Sequence, residues 1–436
     1  MKLGVVVQRY GAEINGGAEL HARYIAEHLM PHAEVEVLTT CARDYITWKN
    51  EYPPGFTEVN GVPVRRFSVR RERTVDDFGR ASDRVFGKTH SCRDELAWLD
   101  SEGPTSPELV KHLAKHEHAF DFFFFFSYRY YHAYHGVRAV PRRAILVPTA
   151  ERDPAIGVSL FAPIFRSVRA LMYNSPEEKA LIQAVSQNQD TPGVVVGIGS
   201  DIPASPQSNR FRQKFNIRDP FAIYVGRIDA NKGCKELFEF FERYIEWSST
   251  KLSLVLLGEA QIPIPKHPRI RHLGYLPDAD KFDGMAASDL LIMPSYFESL
   301  SMVALESWAL GKPVLANGKC DVLRGQCVRS NAGLYYENFS EFAETLYALE
   351  SNRAVRSAFG ENGRQFFRAN YAWPVIERKY LDMVRGLQHQ DRSGQPPVPV
   401  LPPLPGWLGR RRHTIPPARG ILSTLPTGPV IGRARS

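Results

Sequence analysis

Two carboxylates, Glu298 and Glu306, stand close together in the stretch DLLIMPSYFESLSMVALESWALGKPV, which runs from Asp289 to Val314. A helix through both would separate their backbones by roughly 12 Å, at about 1.5 Å per residue. Carboxyl pairs that hydrolyse a glycosidic bond stand about 5 to 9.5 Å apart, so the spacing argues against paired-acid hydrolysis. It suits two separate grips on one long ligand, because ionised carboxylates accept hydrogen bonds and sugar or ribose hydroxyls donate them. Between the acids lie Ser299, Leu300 and Ser301, at a predicted helix start whose unpaired backbone N–H groups attract anions or hydroxyl-rich ligands. The plainer alternative is a first-turn helix acid followed by a solvated one.

A second constellation is GRIDANKG, in which Arg227 follows a strand pattern and Lys232 precedes a helical one. The planar fork of Arg and the point charge of Lys beside a helix N-terminus make a diphosphate clamp. Taken alone, the same residues read as a solvated loop. Gly16-Gly17 opens another helix and lets a phosphate or substrate approach the backbone closely. No GxGxxG occurs there, so dinucleotide binding is not indicated. Asp278-Ala279-Asp280 has the DxD form of metal-dependent transferases but sits at a predicted helix start, where acids act as caps. His112, His116 and His118 follow helical spacing without the acids of a ligand set and read as a solvated helix face.

What must position these groups is an alternation of strands and helices. Residues 3–7 read as a strand, 17 to about 30 as a helix and 35–39 as the next strand; 121–126, 144–147, 169–173 and 194–198 continue the sheet. The segment from Arg43 to Ser106 reads as irregular, with a hairpin at Asn60-Gly61, and a helix is capped through Ser175-Pro176-Glu177-Glu178. Residues 200–220 read as a polar connection, after which the alternation restarts with a strand at 223–225 and a helix at 233–247. The expected fold class is α/β, with two facing, doubly wound, Rossmann-like domains at 1–200 and 215–373. A ligand would lie in the cleft between them.

The chain has 436 residues, 43% of them hydrophobic, enough for two domains and a tail. Of the net charge of +8, six charges fall in residues 389–436, where seven arginines meet one aspartate among ten prolines. The body is therefore nearly neutral, which removes the case for nucleic acid, and the tail reads as disordered. Arg410 to Arg412 beside Trp407 and Leu408 offer a peripheral contact for an anionic membrane. Five scattered cysteines without an export signal read as reduced thiols of a cytoplasmic protein.

GGAE at Gly16, GRIDANKG at Gly226 and the acid pair Glu298 and Glu306, in this order, resemble the retaining glycosyltransferases of family 4, which have the GT-B fold of two Rossmann-like domains. The resemblance covers about Met1 to Gln388. It implies that Arg227 and Lys232 hold the diphosphate of a nucleotide-sugar donor and that Gly16-Gly17 faces it from the other domain. Glu298 and the amides of Ser299, Leu300 and Ser301 would take the transferred sugar, and Glu306 the ribose. A last helix, 374–388, would cross back to the first domain. The leaving phosphate itself would accept the acceptor's proton, with no metal or cofactor. In PTAERDPAI the family often has a histidine near the position of Glu151; Glu151 would replace it at the reacting carbon, with Asp153 as a second candidate. The implied activity is transfer of a sugar to a glycan or lipid-linked acceptor in surface polysaccharide building. The alternatives are a nucleotide-sugar-binding protein without turnover and a GT-B epimerase or phosphorylase.

Overall fold

A computed structural model describes residues 1–393. Its first unit is one sheet of β1 (Lys2–Val6), β2 (Glu34–Thr40), β3 (Gly55–Val59), β4 (Val62–Phe67), β5 (Phe122–Phe126), β6 (Ala144–Val147), β7 (Ala170–Tyr173) and β8 (Gly193–Val195). The strand order is β3-β4-β2-β1-β5-β6-β7-β8, parallel except for the β3–β4 hairpin. The second unit holds β9 (Phe221–Val225), β10 (Ser253–Leu257), β11 (Ile270–His272), β12 (Leu290–Met293), β13 (Val314–Asn317) and β14 (Gly333–Tyr336). Its order is β11-β10-β9-β12-β13-β14, with every pairing parallel.

This topology decides where a ligand goes. The second sheet reverses direction of winding between β9 and β12, and the first between β1 and β5. Outside the carboxyl ends of strands at such a reversal, neighbouring loops part and leave a crevice. The loops leaving β1, β9 and β12 carry Gly16-Gly17, Arg227 with Lys232, and Glu298.

The phenylalanine run explains why β5 is central. Phe122, Phe124 and Phe126 enter one buried cluster while Phe123 and Phe125 enter another on the opposite face of the sheet. A strand sandwiched between helical layers must be apolar at every position, and each such ring contributes about 1.5–3 kcal/mol by leaving water. From the second unit the chain returns through the helix Trp373–Arg392, whose Tyr380 ring meets Phe124 edge-on at 5.3 Å. Arg169, itself buried, donates to Asp391 Oδ1 at 2.7 Å and fixes the end of that helix on the first unit.

Four sequence expectations need correction. Residues 43–106 contain the hairpin but also two helices, Val75–Gly87 and Cys92–Glu102. The first carries Gly79 within it and buries only Val85, so its apolar period is faint. The polar connection 200–220 includes the helix Ser208–Lys214, pinned by the fully buried Phe211. The last strand of the first unit stops at Val195, because Gly197 at φ 75° turns the chain outward. The tail begins later than expected: His389 to Arg392 are helical, and Trp407 and Arg410 to Arg412 lie outside the described residues.

Candidate active site between the two units

The loop leaving β9 is shaped by Asp229. Its Oδ1 accepts the backbone N–H of Lys232 at 2.8 Å, and its Oδ2 accepts the Nε–H of Arg227. One carboxylate therefore folds the loop and ties down its exposed cation. Gly233 then adopts φ 72° at the start of the helix Cys234–Trp247, where a Cβ would lie 2.0 Å from the carbonyl oxygen of Pro294. Only glycine fits there, and this close approach presses the β9 loop against the loop leaving β12.

As a result the cation and acid meet. Lys232 Nζ lies 2.7 Å from Glu298 Oε1. Burial alone would lower the Lys232 ammonium, but the charges of Glu298 and Glu151 outweigh it and hold the group above its ordinary value. Ser301 caps the following helix, Met302–Ala309, by accepting from the N–H of Ala304 at 3.3 Å. Leu300 is buried in the core, so it presents backbone alone to the crevice. Asn174, at the end of β7 in the first unit, donates to Ser299 Oγ across the cleft at 3.3 Å.

Glu306, one turn into the helix, is also buried. Its Oε1 accepts from Ser200 Oγ at 2.9 Å and from Lys281 Nζ at 3.2 Å, while its Oε2 is buried with no partner among the described residues. A buried carboxylate oxygen left empty costs about 1–3 kcal/mol or more, which is what a ligand hydroxyl would recover.

The first unit contributes an acid of different character. Burial and then the charge of Glu298 push the Glu151 carboxyl up to about 7, against the pull of Lys232. Near neutrality it is therefore half protonated and can donate as well as accept a hydrogen bond. Asp153 is already committed: it caps the short helix Pro154–Gly157 through Ala155 N at 3.1 Å and takes Arg129 Nη1 at 2.7 Å. Arg129 also lies 2.9 Å from Glu102, which Arg73 meets at 3.0 Å. Of the two candidates, Glu151 is the one free to meet a ligand.

Sequence reasoning missed Asp229 and Glu178. The fully buried Glu178 accepts the N–H groups of Ala150 and Asn174, so it joins the loops that carry Glu151 and the Asn174 bridge. Burial pushes its carboxyl up to about 8. The capping signal at Ser175 was legible, and Ser175 Oγ does accept Glu178 N at 3.1 Å; that the acid reaches a second loop was not. Asp278 and Asp280 are also not caps: Pro277 takes the cap position, and the two acids pair with Lys281 at 3.2 Å and Lys214 at 2.8 Å.

On the opposite lip, Gly16 packs against Glu19, whereas a Cβ on Gly17 would meet nothing within 4 Å. Asn15 donates to the Tyr275 hydroxyl at 2.9 Å, which brings the Gly16-Gly17 loop to the second unit. Beside it opens a cleft of about 380 Å³ lined by Arg9, Arg43, Tyr45 and Ile46 from one side and Arg227 and Glu259 from the other.

Two parallel-sheet units facing each other over a shared, charged cleft constitute the GT-B architecture. Residues 206–366 match the family model described as Glycosyl transferases group 1. The capsular polysaccharide biosynthesis glycosyltransferase CapM of Staphylococcus aureus is 23% identical over 192 residues, 40% of this chain and 50% of the relative. An uncharacterized glycosyltransferase of Methanocaldococcus jannaschii is 20% identical over 88% of this chain and 98% of its own length. Among solved structures, Anabaena HepE in complex with UDP-glucose superimposes with a TM-score of 0.65 at 16% identity, over 88% of this chain and all of the neighbour (100%). With CapM, the chain spans about half the relative's length. No helix among the described residues is long and apolar enough to cross a membrane.

Proposed function

We propose that the protein is a retaining glycosyltransferase that moves a sugar from a nucleotide-diphosphate donor to a glycan or lipid-linked acceptor in surface polysaccharide assembly. The observation that carries the reading is the direct contact of Lys232 and Glu298 at the reversal point between β9 and β12. A cation that can turn to a diphosphate and a carboxylate that can accept from sugar hydroxyls sit within one ligand length of each other. A relative named for capsular polysaccharide biosynthesis and a structural neighbour holding UDP-glucose support it.

On this reading Arg227, Lys232 and the N-terminus of the helix after Gly233 stabilise the negative charge that builds on the leaving diphosphate. That is the work a metal ion performs in metal-dependent transferases, and we propose a metal-independent reaction here. Glu306 takes the ribose through its free oxygen. Glu151 stands at or near the position where the family often has a histidine; its carboxyl, lifted to about 7, would titrate in the range of an imidazole. It would hold a hydroxyl of the sugar being transferred.

A thermal-shift screen of nucleotide sugars selects the donor, since a ligand of the native state raises its stability by mass action. NMR of the product with that donor should show the donor's anomeric configuration kept, and chromatography should show release of free nucleotide diphosphate. Inversion of the configuration would refute the retaining assignment. Binding without turnover over a broad acceptor panel would turn the reading to a nucleotide-sugar-binding protein, and release of a sugar phosphate to a phosphorylase.

A further inference from the structure

Three segments meet at one histidine beside the hinge. His28, on the helix Gly17–Leu29, has Nδ1 2.9 Å from Glu377 Oε1 and Nε2 3.3 Å from Asp201 Oδ1. Glu377 lies on the returning helix and Asp201 on the outgoing linker. Trp373 stacks on the His28 ring at 3.6 Å and 12°, and its Nε1–H donates to the same Asp201 Oδ1 at 2.7 Å. The linker runs so close beneath Trp373 that a Cβ on Gly199 would lie 2.6 Å from the indole. The next linker residue, Ser200, is the one that donates to Glu306.

The hydrogen-bond chemistry of this cluster depends on charge. With a carboxylate on each side, both ring nitrogens must donate, which only the imidazolium does; the neutral ring serves one partner. Stacking on an indole adds a cation–π attraction for the charged form. Among the described residues, the other titratable or charged groups facing the cluster include His32, 3.5 Å from Glu377 Oε2, Arg23, which acts on Asp201 through space, and Tyr24, whose ring meets Trp373 edge-on at 5.8 Å and which also feels Asp201.

We propose that His28, Asp201, Glu377 and Trp373 form a pH-sensitive hinge latch that holds Ser200 against Glu306 and so sets how firmly the second unit grips the donor's ribose. This deepens the proposed function and rests on its assignment of Glu306 to the ribose. His28 is a positioning residue: it acts on Asp201, Asp201 fixes the linker, and Ser200 with Lys281 occupies one oxygen of Glu306 so that the other faces the ligand. Burial lowers the His28 imidazole, and the bonds to Asp201 and Glu377 outweigh that and hold it above its ordinary value. The latch is therefore closed below that value and loses one of its two carboxylate bonds as pH rises through it.

The test is titration calorimetry of the full chain with UDP-glucose at pH 6 and pH 8.5, on wild type, His28→Gln and Ser200→Ala. UDP-glucose carries no phosphate group that titrates in this window. Glu151 does titrate there, so the difference between wild type and His28→Gln reads the latch. Wild type should bind about 5-fold more tightly at pH 6 than His28→Gln, the lower end of coupling between linked sites, and the two should converge at pH 8.5. Ser200→Ala, which removes one hydroxyl and leaves the cluster intact, should bind at pH 6 like His28→Gln. Parallel pH profiles for wild type and His28→Gln, or wild-type affinity in Ser200→Ala, overturn the latch while the donor assignment stands. If wild type does not bind UDP-glucose, the same titration is run with the nucleotide sugar that the thermal-shift screen selects; absence of binding by every nucleotide sugar in that screen overturns the latch together with its premise.

Discussion

Replacing Glu151 by glutamine should stabilise the protein by an amount that grows as pH rises from about 4.5 through 7 and levels off above it. In the folded chain the carboxyl is pushed from 4.5 up to about 7 by burial and by Glu298. At about 1.4 kcal/mol per pKa unit, that difference corresponds to about 3 kcal/mol. The sign follows from proton counting: between pH 4.5 and 7 the native state keeps a proton that the unfolded chain has released, so stability falls as pH rises through that range. Glutamine has nothing to ionise and escapes the loss. Glu151 is partly open to solvent, and screening reduces the effect to about 2 kcal/mol. Urea unfolding of wild type and Glu151→Gln at pH 5 and pH 8 measures it: similar stability at pH 5, and the variant ahead by about 2 kcal/mol at pH 8. A carboxamide donates and accepts but does not exchange protons, so the variant's transfer rate should also lose the pH dependence centred near 7. The same stability difference at both pH values would show that Glu151 is not a buried, proton-holding acid, and its role beside the sugar would go with it.

Other substitutions probe the neighbouring groups. Lys232→Ala should weaken nucleotide-sugar binding about 10- to 100-fold by calorimetry, the worth of a charge-assisted hydrogen bond of about 1.5–3 kcal/mol, and abolish transfer while circular dichroism stays native. Glu298→Gln should abolish transfer with a smaller change in nucleotide affinity; full activity in both variants would remove these roles. Gly233→Ala forces a Cβ to 2.0 Å from the Pro294 carbonyl oxygen at φ 72°, and urea unfolding should show at least about 2 kcal/mol lost. Gly17→Ala, whose Cβ meets no protein atom within 4 Å, should keep its stability and lose donor affinity by filling space meant for ligand.

The parts of the fold visible from sequence are those whose residues obey one rule at every position. The phenylalanine run of β5 can only be a strand buried on both faces, and Leu290 to Met293 followed by Pro294 can only end in a loop. The helix Val75–Gly87 obeys no such rule, because it buries a single apolar residue and carries a glycine in its middle. The helix Cys92–Glu102 is different: its capping box, Ser91 with Asp94, was present in the sequence and was obscured by the polar stretch around it. Likewise the cap at Asp278 was misread because an acid at a helix start has two uses, and Pro277 with Lys214 and Lys281 nearby selects ion pairing.

The site was legible for a different reason, and only in part. Arg227, Lys232, Glu298 and Glu306 stand out in the sequence because their chemical types are those that a charged, hydroxylated ligand would require, and strand–loop–helix order puts them at the same edge of one sheet. Their supports are not of that kind. Asp229, Glu178, Ser200 and Asn174 act on backbone N–H groups or on side chains far away in sequence, with separations of 106 residues for Ser200 and Glu306 and 125 for Asn174 and Ser299. The contacts of Ser200 and Asn174 exist only once the two units have closed on each other. It follows that the supports, rather than the ligand-facing residues, determine whether the two units cooperate. A variant such as Ser200→Ala, which leaves every ligand-facing side chain in place, should then reduce donor affinity without changing the chemical step. A fall in kcat at unchanged KM in that variant would place the linker in the reaction itself.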